Sequence, residues 1–198
     1  AYGIKLISMG LLVKPGQPVI WRGPMLNSAI RQFLGDVEWG ELDYLVIDMP
    51  PGTGDIHLTL VQTVPVTGVA IVSTPQKVAL ADARKGVSMF QQESINVPVL
   101  GLIENMSYFT PEELPDHKYY IFGKDGCKQL AEELNVPLLG QIPLVQGIRE
   151  SGDAGLPVAE KGDSIISEIF TELAQKVAQQ VAIRNATLDP SKIVEIKK

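Results

Sequence analysis

YLVIDMPPGTGD, residues Tyr44 to Asp55, sets four apolar or aromatic side chains (Tyr44, Leu45, Val46, Ile47) ahead of Asp48. A loop of Pro50, Pro51, Gly52, Thr53 and Gly54 follows. A short apolar run bounded by turn residues is the pattern of a buried parallel strand. An open α/β sheet binds its ligands at the carboxyl ends of such strands, where Asp48 falls. Glycines without a Cβ let a loop backbone come close to a phosphate.

Outward from this run, strand and helix patterns alternate. Strands are expected at Ile4–Met9, Leu45–Met49, Val69–Ser73, Val99–Glu104 and Leu138–Ile142, and a short one in the tail at Ile193–Ile196. Between them, Pro24 opens a helical spacing (Leu26, Ala29, Ile30, Phe33, Leu34) that ends at Gly35. Asp55 is placed to cap a short helix carrying Leu58, Leu60 and Val61. Lys77–Gln92 is amphipathic through Val78, Ala81, Val87 and Phe90. Gly126–Leu134 reads as a helix, and Val145–Gly155 as a polar loop with a short helix. Ser164–Ile183 carries the stripe Ile165, Ile169, Phe170, Leu173, Val177 and Val181, with Asp163 or Ser164 as its cap. Met106–Tyr120, with Pro111 and Pro115, breaks the alternation and reads as a surface excursion or lid. The pattern implies an α/β fold of three layers, a mostly parallel sheet with helices on both faces. One domain is expected over 1–186, with a tail over 187–198.

The composition fits a globular chain of this kind. Of 198 residues, 45% are hydrophobic and 20% charged, enough for a sizeable core. The net charge of −6 argues against a general attraction to nucleic acid or anionic lipid. No apolar run reaches the length of a membrane span. The single cysteine, Cys127, excludes an internal disulfide framework and suits a cytoplasmic setting.

DMPPGTGD with Leu58, Thr59 and Leu60 resembles the Mrp/ApbC family of ATP-binding iron–sulfur cluster carriers. The likeness continues through WRGPM (Trp21–Met25), WGELDYLVID (Trp39–Asp48), STPQKVALADARKG (Ser73–Gly86) and GLIENMSYF (Gly101–Phe109). It covers the chain from about Tyr2 to about Leu173 and implies a fold like that of P-loop NTPases. The glycine-rich GxxxxGK[ST] loop of such proteins is absent from the sequence, and Gly123-Lys124-Asp125 does not replace it. The resemblance therefore implies a domain incomplete at its N-terminus, the C-terminal portion of a longer protein. A natural paralogue without the loop is the alternative.

The resemblance also assigns roles. Asp48 would stand at the Walker B position and hold Mg²⁺, through water or directly; the alternative is a strand-end turn cap. Gly52 and Gly54 would offer backbone N–H groups to the γ-phosphate in a switch loop, or simply serve a turn of positive φ. Asp55 would orient water or another switch residue, or cap its helix. Asn105 would contact adenine, its amide offering donor and acceptor to the base edge, or close an Asx turn. Pro143, within Ile142–Val158, would pack beside the base. Arg22 and Lys77 could face phosphate, a partner or solvent. His57 reads as a helix residue near the switch loop and not as a base, since no GxSxG elbow is present.

Many members of the family carry a CxxC pair after ENMS, and two chains would share a 4Fe–4S cluster through those thiolates. Here that region reads MSYFTPEELPDHKYYIFGKDGC, without the pair. Cys127 alone would bring two thiolates to a dimer, short of four, so cluster carriage through it is doubtful. Burial as a small hydrophobe is the alternative. His117 reads as a surface histidine, with auxiliary ligation as its other role.

The leading functional expectation is an ATP-binding iron–sulfur cluster carrier or assembly scaffold. The intact protein would be a slow ATPase, a homodimer, and a partner of iron–sulfur client or scaffold proteins. A ParA/MinD-like positioning ATPase and a non-enzymatic client-binding module are the alternatives. The final helix and Lys197 and Lys198 are too weakly basic for a membrane anchor. Losing three charge-assisted contacts from a P-loop would cost roughly 5–9 kcal/mol. The 198 residues alone are therefore expected to bind no ATP at micromolar concentration. Their strand at Leu45–Met49 is expected to present an unpaired edge.

Overall fold

The computed structural model describes residues 2–14, 16, 23–111, 113–114, 116–160, 162 and 164–195. They divide into two compact units, Ala1–Val66 with Lys192–Lys198 and Thr67–Ser191.

The second unit holds the sheet. Strands β1 (Val69–Ser73), β2 (Val99–Glu104) and β3 (Leu138–Gln141) are parallel and stand in the order β1-β2-β3. Successive residues of β2 face opposite sides, as the pleat requires. Leu102 packs with Ala83 and Val87 of α4 (Lys77–Gln91) and with Leu130 and Ala131 of α5 (Gly126–Leu134). Its neighbour Ile103 joins Leu139 and Ile142 on the other side. There Ile148 of α6 (Gln146–Asp153) and Ile169, Phe170, Leu173 and Val177 of α7 (Ile165–Thr187) cover them. This unit is thus the three-layer parallel α/β arrangement expected from the alternation.

Helix α7 begins at the expected cap. Ser164 Oγ accepts from the Ser167 N–H at 3.1 Å, while Asp163 lies outside the described residues. Ile165, expected in the apolar stripe, is exposed: the first turn precedes the stretch that meets the sheet.

The first unit contains three helices, α1 (Met9–Leu12), α2 (Gly23–Gly35) and α3 (Asp55–Val61). Helix α2 packs on α3, and Trp39 Nε1 donates to Phe33 O at 2.8 Å. The expected strands at Ile4–Met9 and Leu45–Met49 are not formed. A helix closes its hydrogen bonds within itself, but a strand exists only through a neighbour. Among the described residues nothing supplies that ladder, and the apolar side chains stand open, Leu6 at 76% and Val46 at 88% exposure. The tail is likewise not a strand over 193–195, although the Val194 N–H reaches Val61 O at 2.9 Å. Ile196, Trp21, Arg22 and Pro115 lie outside the described residues.

The excursion after β2 is tied at its root. Phe109 and Tyr119 exchange both backbone bonds at 2.8 Å, and the Leu144 N–H donates to Tyr108 O at 2.7 Å. Lys118 stacks on the Tyr108 ring at 4.0 Å.

Candidate functional site

Parallel strands bring their carboxyl ends to one rim, and the loops that leave them meet there. The Asn105 N–H donates to Ser73 O at 2.8 Å, tying the end of β2 to that of β1. On the other side the Ile142 N–H donates to Glu104 O at 2.8 Å and the Ser107 N–H to Ile142 O at 2.9 Å. Asn105 and Pro143 therefore lie on adjoining loops. Pro143 is buried, and Asn105 is half-buried. Asn105 Oδ1 accepts from the Met106 N–H at 2.9 Å, with Met106 in the left-handed region at φ 54°. The Asx turn weighed for this side chain would bond two residues on and is not formed: the Ser107 N–H goes to Ile142 O, and the amide oxygen holds the adjacent N–H instead.

Behind this turn lies a residue the sequence reading did not single out. Glu104 is fully buried at the last position of β2. Its Oε1 accepts from Ser107 Oγ at 2.5 Å and from Gln141 Nε2 at 2.8 Å, and its Oε2 from the Cys127 N–H at 2.7 Å. Among the described residues no ion pair involves it. Its charge is met instead by hydrogen-bond donors and by the first turn of α5, where partial positive charge collects. The available sequence signals were Ser107 three residues on and Gln141 ending the next strand; neither marks burial by itself.

Cys127 is fully buried in that first turn, its Sγ 3.7 Å from Ser73 O. Burial pushes the thiol up from 9.0 to about 12, and the charge of Glu104 adds to the shift. As placed, it offers no thiolate near neutral pH. The preceding Gly126 is required by space. A Cβ there would lie 2.6 Å from Pro75 O, so the start of α5 sits directly against the loop that leaves β1.

The loop 48–55 belongs to the first unit, whereas Asn105, Cys127 and Pro143 belong to the second. Asp48 is exposed on non-strand backbone. Gly52 has φ 101°, so the turn of positive φ weighed for it is realised; Gly54, at φ −87°, needs no such freedom. Gly54 also occupies the cap position of α3, so Asp55 is not the cap. It is the first helical residue, where its charge faces the open N–H groups. His57 is buried in α3, Lys77 opens α4 on the surface, and His117 is exposed. Among the described residues no group of three His, Cys, Asp or Glu could hold a metal ion. Mg²⁺ needs no such cage beside phosphate: one exposed carboxylate such as Asp48, with phosphate oxygens and waters, is a donor set it accepts.

Residues 1–178 match the family model described as ParA, NUBPL iron-transfer P-loop NTPase. The chain belongs to this family. The chain is 56% identical over 183 residues to the iron-sulfur cluster carrier protein of Synechocystis sp., covering 92% of itself and 51% of that protein. It is 48% identical over 181 residues to the iron-sulfur cluster transfer protein NUBPL of Mus musculus, covering 91% and 56%. The chain thus spans about half the length of these curated relatives. Among solved structures, a nucleotide-binding protein from Archaeoglobus fulgidus in complex with ADP superposes with a TM-score of 0.59 at 40% identity. That superposition covers 66% of this chain and 53% of the other.

Proposed function

We propose that the whole protein is an ATP-binding iron–sulfur cluster carrier with slow ATPase activity. In this reading Asn105 and Pro143 form the base side of the nucleotide site. Asp48 serves Mg²⁺ through water, Gly52 and Gly54 approach the γ-phosphate, and Asp55 helps order the switch loop. What carries the reading is the juxtaposition, at one rim, of the loops leaving β2 and β3, where α/β sheets take ligands. The iron–sulfur cluster is the cargo, exchanged with client or scaffold proteins by a cytoplasmic homodimer. Cys127 as folded is fully buried, so the cluster's ligands are sought elsewhere in the whole protein. Among the described residues no helix is long and apolar enough to cross a membrane.

Calorimetry on the full-length protein tests the nucleotide half. Asn105→Ala is expected to weaken ADP by about tenfold, the worth of one or two hydrogen bonds. Asp48→Asn is expected to weaken Mg-ATP far more than metal-free ATP. Unchanged affinities in both variants would overturn the assignment. Anaerobic loading with ferrous iron and sulfide tests the cargo. Cluster absorbance that survives Cys127→Ser is the expected result, and its loss would make Cys127 a ligand after all.

A further inference from the structure

We infer that Glu104 is a positioning residue that fixes the orientation of the Asn105 amide and so sets the choice of base. The inference rests on the base-side reading of Asn105 proposed above. The turn Asn105–Met106 is bracketed by Glu104 on one side and Ser107 on the other, and these two side chains bond directly. The same carboxylate holds the end of β3 through Gln141 and the start of α5 through the Cys127 N–H. Four segments thus converge on one buried group, and the short turn between its anchors has little room to move.

An amide side chain reads a purine according to which end carries oxygen. Oxygen toward the 6-amino group with NH₂ toward N7 matches adenine; guanine presents two acceptors, O6 and N7, so either way round the amide oxygen meets an acceptor. At Asn105 the Met106 N–H fixes which way round the amide stands, because a donor must face Oδ1. The Met106 N–H is held in place by the left-handed backbone at that residue and by the Glu104–Ser107 bond immediately behind it.

A buried carboxylate without a cation is costly, and a well-packed apolar group of its size often does no worse for stability. Its presence at this point of the rim is therefore explained by what it orders. Glu104→Gln keeps the size but gives one oxygen and one NH₂ to a site with three donors. The NH₂ cannot accept where a carboxylate oxygen did, so the Ser107 hydroxyl or the Gln141 amide must turn to meet it, and the turn relaxes.

The test is the ratio of ADP to GDP affinity in the full-length protein, measured by calorimetry. A merely structural loss would weaken both nucleotides together. Glu104→Gln is expected to lower the ratio by about tenfold. Ser107→Ala, a milder cut in the same network, is expected to give a smaller fall and serves if Glu104→Gln does not fold. A ratio unchanged in Glu104→Gln, or in Ser107→Ala where that variant stands in, while Asn105→Ala collapses it overturns this inference and leaves the base reading standing. A ratio unchanged in Asn105→Ala overturns the base reading and this inference with it.

Discussion

The thiol of Cys127 has no water around it and a carboxylate beside it, and both effects favour the protonated form. Its pKa therefore rises from 9.0 to about 12 on folding. At pH 8 the folded chain then holds about a thousandfold less thiolate than the unfolded chain. Alkylation by iodoacetamide at that pH is expected to be slow in the native protein and fast in urea. Rapid native labelling would mean that α5 opens or that the thiol is not buried. The sign of the linkage follows. Between pH 9 and 12 the unfolded chain binds fewer protons than the folded one, so this group's stabilisation is complete below about 9 and lost as pH rises toward 12. Cys127→Ala should flatten the fall of stability with pH across that window. The sequence could suggest a small buried cysteine at the head of a helix, but not the carboxylate next to it. Glu104 and Cys127 are 23 residues apart, and only the parallel sheet with α5 laid across it brings them into contact.

Elements that supply their own hydrogen bonds, or whose partners fall within the chain, were the legible ones. Helices α2, α4, α5 and α7 lie close to where their spacing places them, and β1, β2 and β3 lie where the short apolar runs do. The runs at 4–9 and 45–49 carry equally good strand patterns and are not strands. Pattern reports what a segment could pair with, and pairing needs a second segment at hand. Helix α7 shows how a local signal acts at this scale. Its 23 residues follow the cap Ser164, whose hydroxyl accepts from the Ser167 N–H, while the Ser167 hydroxyl donates to Ala159 O at 2.7 Å. This cap registers the helix so that Ile169, Phe170, Leu173 and Val177 meet the sheet. Ser164→Ala is expected to lower stability by about 1 kcal/mol. It should appear as a lower urea midpoint at unchanged slope. Ser164→Asp should restore the loss, because a carboxylate caps equally well and favours the helix N-terminus. Equal midpoints for all three chains would mean that the cap contributes nothing and that α7 is held by its stripe alone.

At the scale of the whole chain, the unevenness of burial makes the last prediction. In Thr67–Ser191 both faces of the central strand β2 are covered, and Leu102, Leu139 and Val87 are almost wholly withdrawn from water. In the other unit Ile4, Leu6, Tyr44, Leu45, Val46 and Ile47 are exposed, all within segments of strand-like sequence. Contiguous exposed apolar surface drives association, and backbone without a ladder is a template for another strand. A preparation of these 198 residues should therefore self-associate as concentration rises, with light scattering giving masses above that of one chain. Val46→Lys puts a charge at the most open of the large apolar positions, and charges of this kind are what guard sheet edges. It should shift the association to higher concentration while leaving the unfolding of the covered sheet unchanged. Amide hydrogen exchange supplies the internal comparison. The amides of β2 should exchange slowest in the chain, and those of 44–49 should exchange quickly in dilute solution and gain protection only as the chains associate. Protection of 44–49 equal to that of β2 at the lowest concentration, in a chain that stays monomeric, would show that this segment finds a ladder within its own molecule.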